Sequence, residues 1–342
     1  MSTSHSTSPY DKTSHLGLGT WRFFLAFCVA ISHLYANMIH GPAAYAVWGF
    51  FVLSGYLMTS ILCVKYGNSI QGHAAYGFNR FIRIFPQYWL SCAIGLITIS
   101  FALRFQIDPK SINPEFSLPN NTHNTLANIF LIQIFEPIGG RLVPVSGALA
   151  TEILAYFLLP LFCRSISSTF CIAFIALVAN SERGITVDSF PVRYTSFTTC
   201  ILAFSIGALV FHFKDRLSTF RFPILSVISW VSHACLWLLF PSYPWEMGLY
   251  VSVALSAWVV LSIGDIKTGT LDTFLGDLSY PIYLLHTTMA VWILILFGDK
   301  IEFKSVSFFS ASFILTLIAS VIILIFFDRP IMRLKRKPIT KA

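Results

Sequence analysis

The sequence predicts an all-α, polytopic membrane bundle of about ten transmembrane helices with both termini in the cytoplasm. Composition is the first reason. Of 342 residues, 56% are hydrophobic and 11% charged, and the mean hydropathy is +0.72; a soluble domain carries about a quarter charged residues. Segment length is the second. Several apolar runs reach the ~20 residues that cross a bilayer as a helix, unlike the alternating ~10-residue strands of an outer-membrane barrel. The third is charge placement: Lys and Arg favour one side of the predicted membrane by about two to one.

The predicted spans, in order, are 16–38, 42–64, 87–104, 145–164, 167–181, 194–213, 222–240, 245–263, 274–297 and 305–327. Residues 1–15 are polar and Ser/Thr-rich, and read as a flexible cytoplasmic N-terminal segment. The first run is too long for a signal-peptide core and lacks a small-residue cleavage site, so it is expected to be a retained helix. The stretch 125–138 is apolar but short, and reads as interfacial or re-entrant. The main unit is 16–330, followed by a basic cytoplasmic tail, 331–342; no soluble domain and no internal repeat is visible. An even span count with the N-terminus inside puts Lys65, Arg80, Arg83, Arg164 and the tail in the cytoplasm. The formal charge of +8 is then an orientation signal and a contact for anionic lipid, not a nucleic-acid footprint. The seven cysteines form no CxxC pair and read as small buried hydrophobes.

Against this background a few polar groups stand out, because a charged side chain in a span costs a few kcal/mol or more. Arg22 and His33 are eleven residues apart in the first span. On a helix they share one face, roughly 16 Å apart along the axis, as one wall of a polar cavity would. Separately, Arg22 is explained by snorkelling and His33 by a backbone hydrogen bond. Ser54 and Gly55 interrupt the second span in "FFVLSGYLMTSIL", where close packing or ligand approach are the two readings. Arg80 and Arg83 in "FNRFIRIFPQYWL" project from one helical face; they are topology determinants or, since guanidinium forks match phosphate oxygens, a phosphate site. Glu152, with Tyr156 one turn on, lies inside the fourth span, as a functional acid or the partner of an arginine. Ser279, Tyr283 and His286 form a stripe near the end of the chain.

Several familiar sites are absent from the sequence. There is no HExxH and no Cys/His pair at ligand spacing, so no metal site is expected. GxSxG is absent, as are Rossmann and P-loop fingerprints.

In order and spacing the motifs resemble the acyltransferase-3 family of integral membrane acyltransferases, over about 16–335. The resemblance rests on Arg22, ten residues and His33; on "FFVLSGYL"; on "RFIRIFPQYW"; on "LSYPIYLLH"; and on "FFDRPIMRL", with Asp328, Arg329 and Pro330. One departure is plain: where members often carry Trp-Ser/Thr-Leu before the intramembrane Glu, this chain has Gly147-Ala148-Leu149. The resemblance implies transfer of an acyl group, commonly acetyl from acetyl-CoA, to a hydroxyl of a carbohydrate such as O-antigen, exopolysaccharide or a lipid-linked glycan, in a bacterial inner membrane. Acetyl-CoA is then a co-substrate, and no permanently bound cofactor is expected. In this reading Arg80 and Arg83 hold the coenzyme phosphates and Arg22 lines the entrance. His33 is general base or transient acyl carrier. Glu152, Tyr283 and His286 orient His33 or bind the acceptor, and Ser54-Gly55 lets the thioester approach. The rival readings are a transporter or flippase of a lipid-linked glycan, which would favour internal repeats and paired broken helices, and a non-catalytic scaffold.

Overall fold

The computed structural model describes residues 17–36, 42–132, 139–182, 196–240 and 245–336; the segment 1–15, residues 133–138 and the end of the basic tail lie outside them. Helices occupy all ten predicted apolar runs. They are α1 (Leu18–Leu34), α2 (Pro42–Ile61), α3 (Ile70–Arg104), α5 (Ser146–Phe162), α6 (Ile166–Glu182), α7 (Phe197–Phe213), α8 (Pro223–Leu239), α9 (Trp245–Ile263), α10 (Thr270–Phe297) and α11 (Val306–Ile323). Short α4 (Thr122–Phe130) and α12 (Arg329–Met332) are also present among the described residues, and π turns extend α2 over Leu62–Tyr66 and α11 over Leu324–Asp328. Among the described residues, four helical stretches are long and apolar enough to cross a membrane: Pro42–Tyr66, Ile70–Arg104, Thr270–Phe297 and Val306–Met332. The other six apolar helices are shorter. Large apolar side chains such as Phe157, Leu161, Phe174 and Phe326 are exposed around the bundle, as a lipid-facing surface requires.

The third span is longer than the sequence reading allowed. It runs 35 residues without interruption from Ile70, roughly 52 Å at 1.5 Å per residue, and passes straight through Pro86. Proline removes one helical hydrogen bond and can kink a helix, but the apolar pattern continues on both sides and carries the helix through. Ser69 caps its start by accepting from the Gly72 N–H at 3.0 Å. Arg80 and Arg83 therefore sit within this helix rather than before it. The described part of the short run near 125–138 includes α4, docked on α3: Tyr88 donates to the Asn128 carbonyl at 2.6 Å and Trp89 to that of Ile129 at 2.8 Å.

The largest core packs α1, α2, α7, α8 and α9 around Trp21, Trp48, Phe51, Phe204 and Trp230. Helices α2 and α7 approach most closely at glycines. A Cβ added at Gly55 would fall on the Phe204 carbonyl, and one added at Gly207 on that of Val52. Gly55 thus serves packing, the first of its two sequence readings. Gly55→Val is expected to lower stability by about 3 kcal/mol, the upper range for overpacking a tight contact, seen as a reduced melting temperature of the detergent-purified protein.

Candidate active site

The site is set by how α1 lies against α10. Helix α1 begins at Gly17 with no side-chain cap of its own. Its free N–H groups are met instead by Asp272, in the first turn of α10, which accepts from Gly19 N at 3.1 Å, from Thr20 N at 2.7 Å and from Thr20 Oγ1 at 2.7 Å. A carboxylate there satisfies orphan donors and complements the helix dipole. The two helices run side by side in the same direction. Asp272 and Gly19 are 253 positions apart, and so are His286 and His33, which meet further along. Sequence reading missed Asp272, because an acid in a first helical turn looks ordinary; the uncapped Gly-rich start of α1 was the available signal.

Near the start of α1, Arg22 lines a cavity of about 120 Å³ together with Ser54, Arg80, Arg83, Glu152, Tyr156, Ser279 and Tyr283. One water needs about 10–15 Å³ by the same measure, so the space has room for a small group, between these polar side chains and apolar ones such as Phe50, Leu53 and Met58. All eight polar residues were singled out in the sequence, and they come from five helices. Gly55 does not line it.

The charges in the cavity are unevenly paired. Arg83 is held by Asp328 at 3.3 Å and Asp277 at 3.6 Å, which explains the linkage between the "RFIR" and "FFDRP" segments. That departs from the expectation of Arg80 and Arg83 as an equivalent phosphate fork. Arg22 and Arg80 have no carboxylate within ion-pair distance among the described residues, and Arg80 Nε is buried without a partner. Just past α12, burial first, and then the fields of Arg83 and Arg80, lower Lys335 to about 8. The end of the described chain thus brings a basic side chain near Arg80 and Arg83. The chain there is tied to α3 by Asn79, which donates to the Arg336 carbonyl at 2.9 Å and accepts from its N–H at 2.8 Å.

Glu152 is not an arginine's partner in this arrangement. Ser54 Oγ donates to its Oε1 at 2.6 Å, and the Tyr156 hydroxyl donates to the same oxygen. Glu152 therefore belongs to a Ser54–Glu152–Tyr156 cluster and does not contact His33, so it does not orient that ring. Tyr283 forms part of the cavity wall, with its hydroxyl turned to the Val145 carbonyl at 2.8 Å.

His33, one residue before the end of α1, lies beyond this cavity and meets His286. His33 Nδ1 is 2.8 Å from His286 Nε2, and the ring planes differ by 1°. His286 is fully buried, and its Nδ1 lies 2.8 Å from the Tyr283 carbonyl and 3.2 Å from that of Ile282. The pair is three residues along α10 from the cavity wall at Tyr283, roughly 4.5 Å of helix. Among the described residues no group of three or more His, Cys, Asp or Glu is arranged to hold a metal.

A helical membrane bundle with an internal polar cavity, two unpaired arginines and a histidine pair is the frame of a membrane enzyme. The chain belongs to the acyltransferase-3 family: the family's acyltransferase domain matches residues 15–325. It is accordingly a membrane acyltransferase. No curated protein and no solved structure matches the chain. At the Gly147 departure another side chain takes the space beside the backbone. A Cβ there would strike the Arg141 guanidinium, which forms a 2.8 Å ion pair with Glu115 and occupies the space a large side chain at 147 would fill.

Proposed function

We propose that the protein is an O-acetyltransferase of a bacterial inner membrane that moves acetyl from acetyl-CoA to a sugar hydroxyl of a lipid-linked or surface glycan. The observation that carries this reading is the placement of Arg22 and Arg80, without carboxylate partners among the described residues, in a cavity whose wall at Tyr283 lies three residues along α10 from His286, the partner of His33. Guanidinium groups without carboxylate partners suit the phosphates of a coenzyme. The basic chain end beside them fits a cytoplasmic donor side under the positive-inside rule, with ten spans and both termini inside. His33 is the base. It takes the proton of the acceptor hydroxyl as that oxygen attacks the thioester carbonyl, the C–S bond breaks, and the thiolate leaves with the proton. The Ser54–Glu152–Tyr156 cluster shapes the cavity wall and offers hydroxyl groups to the acyl group or acceptor.

A second opening favours an acceptor carried on lipid. Between α3 and α5 an apolar groove, lined by Phe81, Phe85, Phe157, Pro160 and Leu161, shares Arg80, Ile84 and Tyr156 with the polar cavity. Phe157 and Leu161 are exposed on the lipid-facing surface, so an acyl or prenyl chain could remain in the bilayer while its polar head reaches Tyr156, which lines both spaces.

The test uses inverted membrane vesicles from cells making the full chain, supplied with acetyl-labelled acetyl-CoA. Free thiol release and label in the glycan fraction, both dependent on the protein, are expected. Glycan translocation with neither signal would replace this reading with the flippase.

A further inference from the structure

We infer that His286 is a positioning residue that holds His33 in its Nδ1–H tautomer, leaving His33 Nε2 as the atom that accepts the acceptor's proton. The catalytic half of this inference rests on His33 being the base; the tautomer half stands on geometry alone.

The chain of reasoning starts at the backbone. His286 Nδ1 faces two carbonyl oxygens, of Tyr283 at 2.8 Å and Ile282 at 3.2 Å. Carbonyls only accept, so Nδ1 carries a hydrogen. A neutral imidazole has a single N–H, which leaves Nε2 of His286 with a lone pair. That lone pair lies 2.8 Å from His33 Nδ1. Two bare nitrogens at this distance would repel, so His33 Nδ1 carries its ring's hydrogen and donates it. His33 Nε2 is then bare and basic. No carboxylate is within ion-pair distance of either ring among the described residues, so nothing there favours a resting charge on the pair.

The ring geometry agrees. The planes differ by 1° and the centroids are 5.1 Å apart. With a 2.8 Å N···N contact, this is an edge-to-edge arrangement in one plane, which aligns the N–H with the facing lone pair. Face-to-face stacking would instead direct both nitrogens away from the contact.

The arrangement also has a consequence during turnover. When His33 Nε2 takes the hydroxyl proton, His33 becomes a cation, and its Nδ1–H donates to the neutral His286 Nε2. A hydrogen bond from a charged donor is stronger than a neutral one. His286 thereby stabilises the imidazolium without a carboxylate, and the proton returns through His33 Nε2 to the departing thiolate. The backbone sets the tautomer because His286 cannot turn its ring without losing both carbonyls.

The experiment is ¹⁵N NMR of the full chain in lipid nanodiscs with labelled histidine, the His33 signals being assigned by their loss in His33→Ala. Wild type is expected to show His33 protonated at Nδ1 and bare at Nε2. His286→Gln, whose amide oxygen can accept near the former Nε2, is expected to keep that tautomer and most of the activity. His286→Leu is expected to populate the Nε2–H form and to lower kcat about 10–100-fold while KM for acetyl-CoA stays within about twofold. A wild-type His33 bearing its hydrogen on Nε2 overturns the inference, and this measurement does not depend on any variant folding. Equal loss in His286→Gln and His286→Leu with the wild-type tautomer retained in both also overturns it. If the tautomer is as expected but His33→Ala transfers normally, the base assignment fails while the tautomer control stands.

Discussion

His33→Ala is expected to lower acyl transfer by about 10²–10⁴-fold, the usual contribution of a positioned general base, at unchanged membrane level. The side chain lies one residue before the end of α1, and its loss removes the reacting nitrogen and leaves His286 Nε2 without its donor. The fold is held elsewhere, by the Asp272 cap and by the α2–α7 contact. The measurement is acetyl content of purified glycan by NMR, with protein quantified in the membrane fraction. Normal acetylation would make the histidine structural. Loss accompanied by falling membrane levels would point to misfolding, and the thiol-release assay on the purified variant would then decide.

The arginines give the second large effect, and they are expected to separate. Arg22→Ala and Arg80→Ala should each raise KM for acetyl-CoA about 10–100-fold. A hydrogen bond involving a charged group contributes about 1.5–3 kcal/mol, and neither guanidinium has a carboxylate to hold it otherwise. Arg83→Gln is expected to behave differently. It leaves Asp277 and buried Asp328 without their cation, and removing one partner from such a cluster is costly. Its signature is a lower melting temperature with KM nearly unchanged. Thiol release at varied acetyl-CoA measures all three. Equal KM effects at Arg80 and Arg83 would restore the paired phosphate fork that the spacing alone suggested.

Much of the fold was legible because bilayer length and apolar composition leave few options. Every predicted run became a helix, and most boundaries lie within a few residues. The misplaced start of the third helix has a clear cause. The predicted span opens at 87, where the continuous apolar run begins, whereas the helix starts at Ile70 and continues through Pro86, with Tyr280 of α10 donating to the Ile84 carbonyl close by. The site was legible as a set of polar residues in apolar surroundings: Arg22, His33, Ser54, Glu152, Tyr283 and His286. Their partners were not, because contacts between helices distant in sequence leave no periodic trace. That Arg83 would be neutralised by Asp328, 245 positions away, and that His33 would meet His286 rather than Glu152, depend on helix neighbours no single segment records.

The shared offset of 253 between α1 and α10 makes the helix pair a vernier, with one mark at the Asp272 cap and the other at the two histidines, fourteen residues along both rails. A single residue inserted into one rail between the marks would turn the later histidine by about 100° and slide it by about 1.5 Å, out of reach of its neighbour. The same insertion in both rails would keep the marks aligned while changing how far the histidines stand from the arginines. Reach across the cavity is therefore adjustable only by coordinated change in two segments 253 positions apart.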